Sequence, residues 1–324
     1  CTEGAGCSPC DSAFCAVAQP CLWYGGAKAL FLSRNDANRL WTSYEFDNEP
    51  NQLMRSDMIG LKWRAGGEVT IGRRFGCCTA CDSGCGASCD SGCGSSYGTY
   101  DIPYYDAGYR NPWSLQATYF TMEPFNGYHS VTHANGVSSV LTVGNVYFHG
   151  LHASDWFDQA RRHELWRRNE IHSVEVSFVR GGLPWMDGSR FDCNVEFGVR
   201  YFRFWEHLLF GATAGAGRVD PAYAQQAFLE DKVSNDLFGF QFGFDMGYQV
   251  LPSCRLFAAP KFGVYNNHID HYFVARLSDG TVGTVTSPAG ETFPSQSNTN
   301  VLSFLTQIDV GLDWQLTQRL SAQM

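Results

Sequence analysis

Apolar residues occupy every second position of two long stretches. In the first, Phe238, Phe240, Phe242, Phe244, Met246, Tyr248 and Val250 alternate with Gly239, Gln241, Gly243, Asp245, Gly247 and Gln249. In the second, Leu302, Phe304, Thr306, Ile308, Val310, Leu312, Trp314 and Leu316 alternate with Ser303, Leu305, Gln307, Asp309, Gly311, Asp313 and Gln315. Successive side chains of a β-strand point to opposite faces, so each stretch has one greasy face and one small or polar face. A transmembrane β-barrel, with lipid outside and water inside, calls for this alternation. A soluble β-sandwich suits it less well, because both stretches are long and Asp, Gln and Gly crowd one face.

The same reading predicts eight strands, at 22–33, 66–75, 112–122, 171–180, 193–213, 235–250, 254–265 and 300–316, with a ninth opening at 319–324. The links 34–65, 123–170, 214–234 and 266–299 are long, whereas Pro252-Ser253 and Thr317-Gln318 are tight turns. Long loops at one end and short turns at the other are the outer-membrane arrangement, with the turns in the periplasm. Two features resist it. Pro260 lies inside the seventh strand, where it removes a ladder donor, and the links after the second and fourth strands are longer than the arrangement prefers. Bacterial single-chain barrels have an even strand number, so further strands are expected outside this sequence. The expected organisation is a Cys-rich segment 1–21 followed by a barrel 22–324 carrying a Cys-rich insert 77–96.

Composition narrows the classes. A net charge of -9 over 324 residues disfavours a nucleic-acid partner. No run of about 18 apolar residues exists, which excludes a transmembrane helix but not barrel strands of about 9–11 residues. Aromatics reach 15%, with 24 Phe, 15 Tyr and 9 Trp, beside 34 Gly, as aromatic girdles and small inner-face residues would produce. An aromatic-rich soluble β-protein is the alternative. The 13 Cys residues point to an oxidising compartment such as a periplasm.

The segments GGEVTIGRRF, WSLQATYF, IHSVEVSFVRG, GVRYFRFWEHLLF, NDLFGFQFGFDMGYQV and KFGVYNN follow one another in that order. In order and spacing they resemble the planctomycete family of outer-membrane β-barrel porins, over roughly 55–324. The resemblance implies an antiparallel up-and-down barrel of about twelve strands in the bacterial outer membrane. It brings no catalytic residues and no established substrate, and the Cys-rich segments depart from the family's core pattern.

The ionisable residues expected on the inner face are Lys28, Glu175, Glu196, Arg200, Asp245, Lys261, Asp309 and Asp313. As a pore lining they would set charge selectivity, and five carboxylates against three basic groups lean towards cations. The competing expectation is a plug of paired charges. The Cys residues are Cys1, Cys7, Cys10, Cys15 and Cys21, then Cys77, Cys78, Cys81, Cys85, Cys89 and Cys93, and finally Cys193 and Cys254. In this topology all lie at the periplasmic end, as candidates for disulfides or cross-links to a neighbour. A thiolate metal site is a poorer match, because repeated C-x3-C lacks the usual knuckle spacing. A lipidated Cys1 is a further alternative. His268, Asp270 and His271 fall on an expected outer loop, and His163-Glu164 and Glu206-His207 are isolated pairs with no G-x-S-x-G nucleophile motif. The Arg161, Arg162, Arg167, Arg168 group reads as a solvated face, or as a contact for lipopolysaccharide.

The expectation is therefore a porin passing small hydrophilic solutes, without enzymatic activity, cofactor or metal, in contact with outer-membrane lipid and lipopolysaccharide. A homo-oligomer or a Cys-linked envelope neighbour is the expected protein partner. The alternative is a plugged barrel that anchors an envelope assembly through its cysteine-rich rim.

Overall fold

The structure, a computed structural model, describes residues 23–33, 39–75, 113–141, 145–181, 190–285, 293–317 and 320–323. It is all-β and antiparallel. The strands are β1 (Trp23–Leu32), β2 (Trp41–Glu45), β3 (Asn48–Arg55), β4 (Arg64–Phe75), β5 (Trp113–Met122), β6 (Phe125–Val131), β7 (Val137–Ser139) and β8 (Val146–Phe148). They continue with β9 (Leu151–His152), β10 (Arg162–Arg180), β11 (Phe191–Thr213), β12 (Gln226–Leu251), β13 (Cys254–Leu277), β14 (Thr284–Val285), β15 (Ser295–Thr317) and β16 (Leu320–Gln323). One helical turn, α1 (Ser154–Phe157), precedes β10.

The main sheet runs β1-β4-β5-β10-β11-β12-β13-β15-β16, with β6 following β5 along the same side of β10. Glu123 and Pro124 separate β5 from β6, and proline has no N–H to offer the ladder. The outermost strands are short, at 10 residues for β1 and 4 for β16, against 23 to 26 for β11, β12, β13 and β15. Among the described residues β1 pairs only with β4 and β16 only with β15, so the sheet stays open and does not close into a barrel.

Several strands outrun their sequence-based bounds. β10 begins at Arg162, β12 at Gln226 and β15 at Ser295, while β13 runs on to Leu277. The supposed loops 34–65 and 123–170 contain β2, β3 and β6 to β9. His268, Asp270 and His271 consequently sit on β13, not on a loop. Pro260 is tolerated in a central strand: the β12–β13 ladder pairs Gly243 with Lys261 and resumes at Met246 with Ala258, unshifted in register.

The reason for the short reading is an inversion of amphipathicity along the strands. Rows in register run through Val176, Val199, Phe240, Val264 and Phe304, and on the same face through Val174, Tyr201, Phe238, Asn266 and Leu302. The next row on that face is His172, Arg203, Asp236, His268 and Asn300. The face turns from apolar to polar within one row across five strands, β13 changing first at Asn266. The opposite face changes the other way. Glu175, Arg200 and Gln241 lie on the apolar-backed side of the boundary; beyond it the same face passes through mixed rows holding Asn169, Glu206, Asp231 and His271 before it becomes apolar at Leu165, Phe210, Leu229 and Leu277.

The sheet curls towards the face of Glu175. Lys261 Nζ on β13 is 3.0 Å from Glu175 Oε2 on β10, and Arg200 on β11 reaches Gln307 on β15 at 2.8 Å. Each contact spans three strand spacings, about 14 Å along a flat sheet, so this face is concave.

Candidate functional site

Register places all eight predicted ionisable residues on the concave face. Four of them form one buried cluster. Lys261 bridges Glu175 (3.0 Å) and Glu196 (2.8 Å), and Arg200 Nη1 lies 3.2 Å from Glu175 Oε1. Two carboxylates and two cations make the cluster neutral. Gln241 Nε2 donates to Glu175 at 2.8 Å, and Arg200 Nε donates to Ser173 Oγ at 2.9 Å. The charges are thus held by neighbours on β10 to β15 without bulk water, as buried ionic groups require.

The other four lie apart from it. Lys28 pairs with Glu68 across β1 and β4 at 2.9 Å. Asp245 accepts from Arg255 Nη2 at 3.0 Å, and the same guanidinium forks onto Asp192 at 3.1 and 2.6 Å. Asp309 accepts from Gln307 Nε2 at 3.1 Å, and Asp313 is the ladder partner of Arg255. Glu68, Asp192, Arg255, Gln241, Gln307 and Tyr265 belong to this wall but were not singled out from the sequence. Arg255 could have been, since it shares the alternation of Lys261 six residues on. Gly247 leaves room here for the Arg255 guanidinium, which a Cβ on it would displace.

Beyond the boundary the concave face carries a different structure. Two small sheets, β3-β2-β7 and β14-β8-β9, and the turn α1 fold onto it as a cap. Met54, Val137, Phe148, Trp156 and Phe157 are fully buried against Leu165, Phe210, Ala227, Leu229, Ala275 and Leu277 of the wall. Trp156 Nε1 donates to the Ala224 carbonyl at 2.9 Å, and Phe157 stacks on Phe210 at 5.5 Å. Gly127 on β6 lets Ile59 approach where a Cβ would collide.

Ser43 of β2 and His163 of β10, both 0% exposed, join cap to wall at 2.7 Å. His163 Nε2 lies 2.9 Å from the Phe157 carbonyl. A carbonyl only accepts, so Nε2 carries the proton and Nδ1 accepts from the Ser43 hydroxyl. Serine on imidazole is also the geometry of nucleophile and base. Here both atoms are sealed from solvent and both ring nitrogens are engaged, so the pair serves as a fastening. Burial among Phe157 and Phe210 pushes the His163 pKa down to about 4. Nearby, hydrogen bonds from Asn51, Asn48 and Asn135 hold Glu45 down to about 2.

Among the described residues no three His, Cys, Asp or Glu side chains converge as metal ligands. His268 lies 3.4 Å from Asp270, and His271 lies 2.7 Å from Asp231. Cys193 and Cys254 are free, buried thiols and do not pair with each other. β12 lies between their strands, and Cys193 is level with Ala258, four residues along β13 from Cys254. Two strand spacings, about 9.6 Å, already exceed the reach of a disulfide. Cys1, Cys7, Cys10, Cys15, Cys21, Cys77, Cys78, Cys81, Cys85, Cys89 and Cys93, with the insert 77–96, fall outside the described residues. Comparison of the chain with known protein families, with curated proteins and with solved structures finds no match.

Proposed function

We propose that the sheet is part of the wall of a bacterial outer-membrane β-barrel that passes small hydrophilic solutes. The inversion of amphipathicity carries this reading. A wall standing in water buries its apolar face inward; a wall in lipid turns that face outward and keeps polar groups within. β10 to β13 do both in succession, the convex face turning polar within one row and the concave face turning apolar further along the strands. Exposure agrees: Phe240 is 74%, Phe304 72% and Ile308 67% exposed on the convex face. Exposed Tyr119 and Tyr201 lie near the boundary, and Trp23, Trp113 and Trp314 lie towards the far end of the apolar band. Amphipathic aromatic rings settle at such interfaces. The experiment is reconstitution with brominated lipid, expecting quenching of tryptophan fluorescence; unchanged emission from folded protein would remove the membrane reading.

A second reading is a structural, plugged barrel. It is favoured by the neutral cluster of Glu175, Glu196, Arg200 and Lys261, whose contacts reach across three strands. Channel recordings separate the two, because only the porin yields conductance steps from inserted protein.

A further inference from the structure

We infer that the cap is a built-in plug, which keeps the lumen closed at rest and must be displaced before solutes pass. This rests on the membrane-barrel reading above. The cap occupies the concave face, the side that becomes the lumen. Leu165, Phe210, Leu229 and Leu277 share the strand alternation of the ionic cluster. It is no loose loop. Trp156, Phe157 and Phe148 are fully buried, and Phe148 meets Trp156 edge-on at 5.3 Å. Val137 and Ala160 exchange backbone hydrogen bonds at 2.9 and 2.8 Å.

The contacts between cap and wall also differ in kind from those within the wall. Along the wall the strands share continuous ladders. Between cap and wall the adhesion is mainly side-chain packing, with the Ser43–His163 and Trp156–Ala224 hydrogen bonds and the Gly283–Ala275 backbone hydrogen bond at 2.8 Å as polar fastenings. An element joined by side chains can leave while the laddered wall remains, which is how local units open below the stability of the whole. The wall side of this interface is apolar. Closed, the cap covers it; open, it would expose Leu165, Phe210 and Leu229 to water. The closed state is therefore the resting one.

The test uses the full chain in planar lipid bilayers with potassium chloride. The parent should be silent or open only briefly. Trp156→Ala combined with Phe157→Ala alters cap residues alone and should raise the open fraction at least tenfold. Hydrogen exchange on the inserted parent provides a second readout: the Val137 and Ala160 amides should be protected, and should lose that protection in the double variant. A parent that conducts steadily at the level of the variant overturns the plug. So does an inserted variant that loses cap protection yet stays silent. Cap amides that exchange at loop rates in the inserted parent overturn it as well. Failure of the protein to float with liposomes removes the barrel reading itself, and flotation is scored separately from conductance.

Discussion

At the scale of single residues, Phe242 and Lys261 carry opposite obligations. Phe242 is 44% exposed in the middle of the apolar band. With the apolar band in lipid, as proposed, Phe242→Arg is expected to cost about 2–4 kcal/mol, the cost of a guanidinium near mid-bilayer. Asn298→Arg, on the same face past the boundary, should stay within about 0.5 kcal/mol. Denaturant unfolding in lipid or detergent compares them, and equal stabilities would refute the face assignment. Lys261 is buried between two carboxylates. Lys261→Met leaves Glu175 and Glu196 with too little positive charge and should cost about 3–5 kcal/mol. Adding Glu196→Gln should restore part of that loss in a double-mutant cycle. Additive costs would mean that the two side chains do not act together.

His163 gives the fold a pH dependence with a definite sign. It is neutral when buried, with its pKa lowered from 6.5 to about 4. The unfolded chain binds the proton first as pH falls, so the stabilisation is complete above about 6.5. It is lost progressively between about 6.5 and about 4, by up to about 3 kcal/mol. Glu164, its sequence neighbour, points to the convex face and is paired there with Arg162, so it offers the imidazolium no direct partner. Protection of the cap amides should weaken over that interval in the parent. A profile as steep in His163→Phe would trace the effect to another group.

At the scale of elements, the strands were legible where one face meets the outside and the other does not. Phe238 to Val250 and Leu302 to Leu316 keep a strict alternation, and β12 and β15 follow it. The alternation fails as a guide beyond the boundary. From Gln226 to Asp236 the convex face carries Glu230, Lys232 and Asp236, while Ala227 and Leu229 face inward. Because the apolar set changes faces within one strand, a period tied to a single face ends there and does not mark the remainder as strand. β2, β7 and β8 were invisible for a different reason. They have three to five residues each; β7 and β8 owe their form to packing around Trp156 and β2 to its pairing with β3 and β7, contacts between distant parts of the chain. The eight charged wall residues followed from alternation alone, but their partners did not. The Lys261–Glu175 and Arg200–Gln307 contacts depend on curl, which no local pattern encodes. The cap's dependence on its central indole can be measured: Trp156→Ala should destabilise it by about 3–5 kcal/mol, while leaving exchange from the apolar-banded half of β12 unchanged.

At the scale of the whole molecule, charge is distributed unevenly along the wall. The central cluster is balanced, whereas Asp192 and Asp245 outnumber Arg255, with Asp309 and Asp313 on the same face. If the proposed barrel conducts, replacing Asp245, Asp309 and Asp313 together by Asn should lower cation preference, read as a shift in reversal potential across a salt gradient. An unchanged reversal potential would place the selectivity elsewhere on the wall. Trp23, Phe75 and Trp113, where the cysteine-bearing segments join the described strands, share the end of the sheet that holds Cys193 and Cys254.

β12 does not stop at the boundary: from Asp236 it continues back to Gln226, about 35 Å along the strand. β10, β11 and β13 continue beside it. With the boundary at the bilayer surface, such a length makes a rigid chimney standing clear of the headgroups. Solutes would then meet the protein's mouth well above the lipid, in the layer occupied by surface sugars. Antibodies raised against the hairpin tips should therefore label intact cells, and height imaging of a supported bilayer should find tall, narrow projections in place of features flush with the membrane.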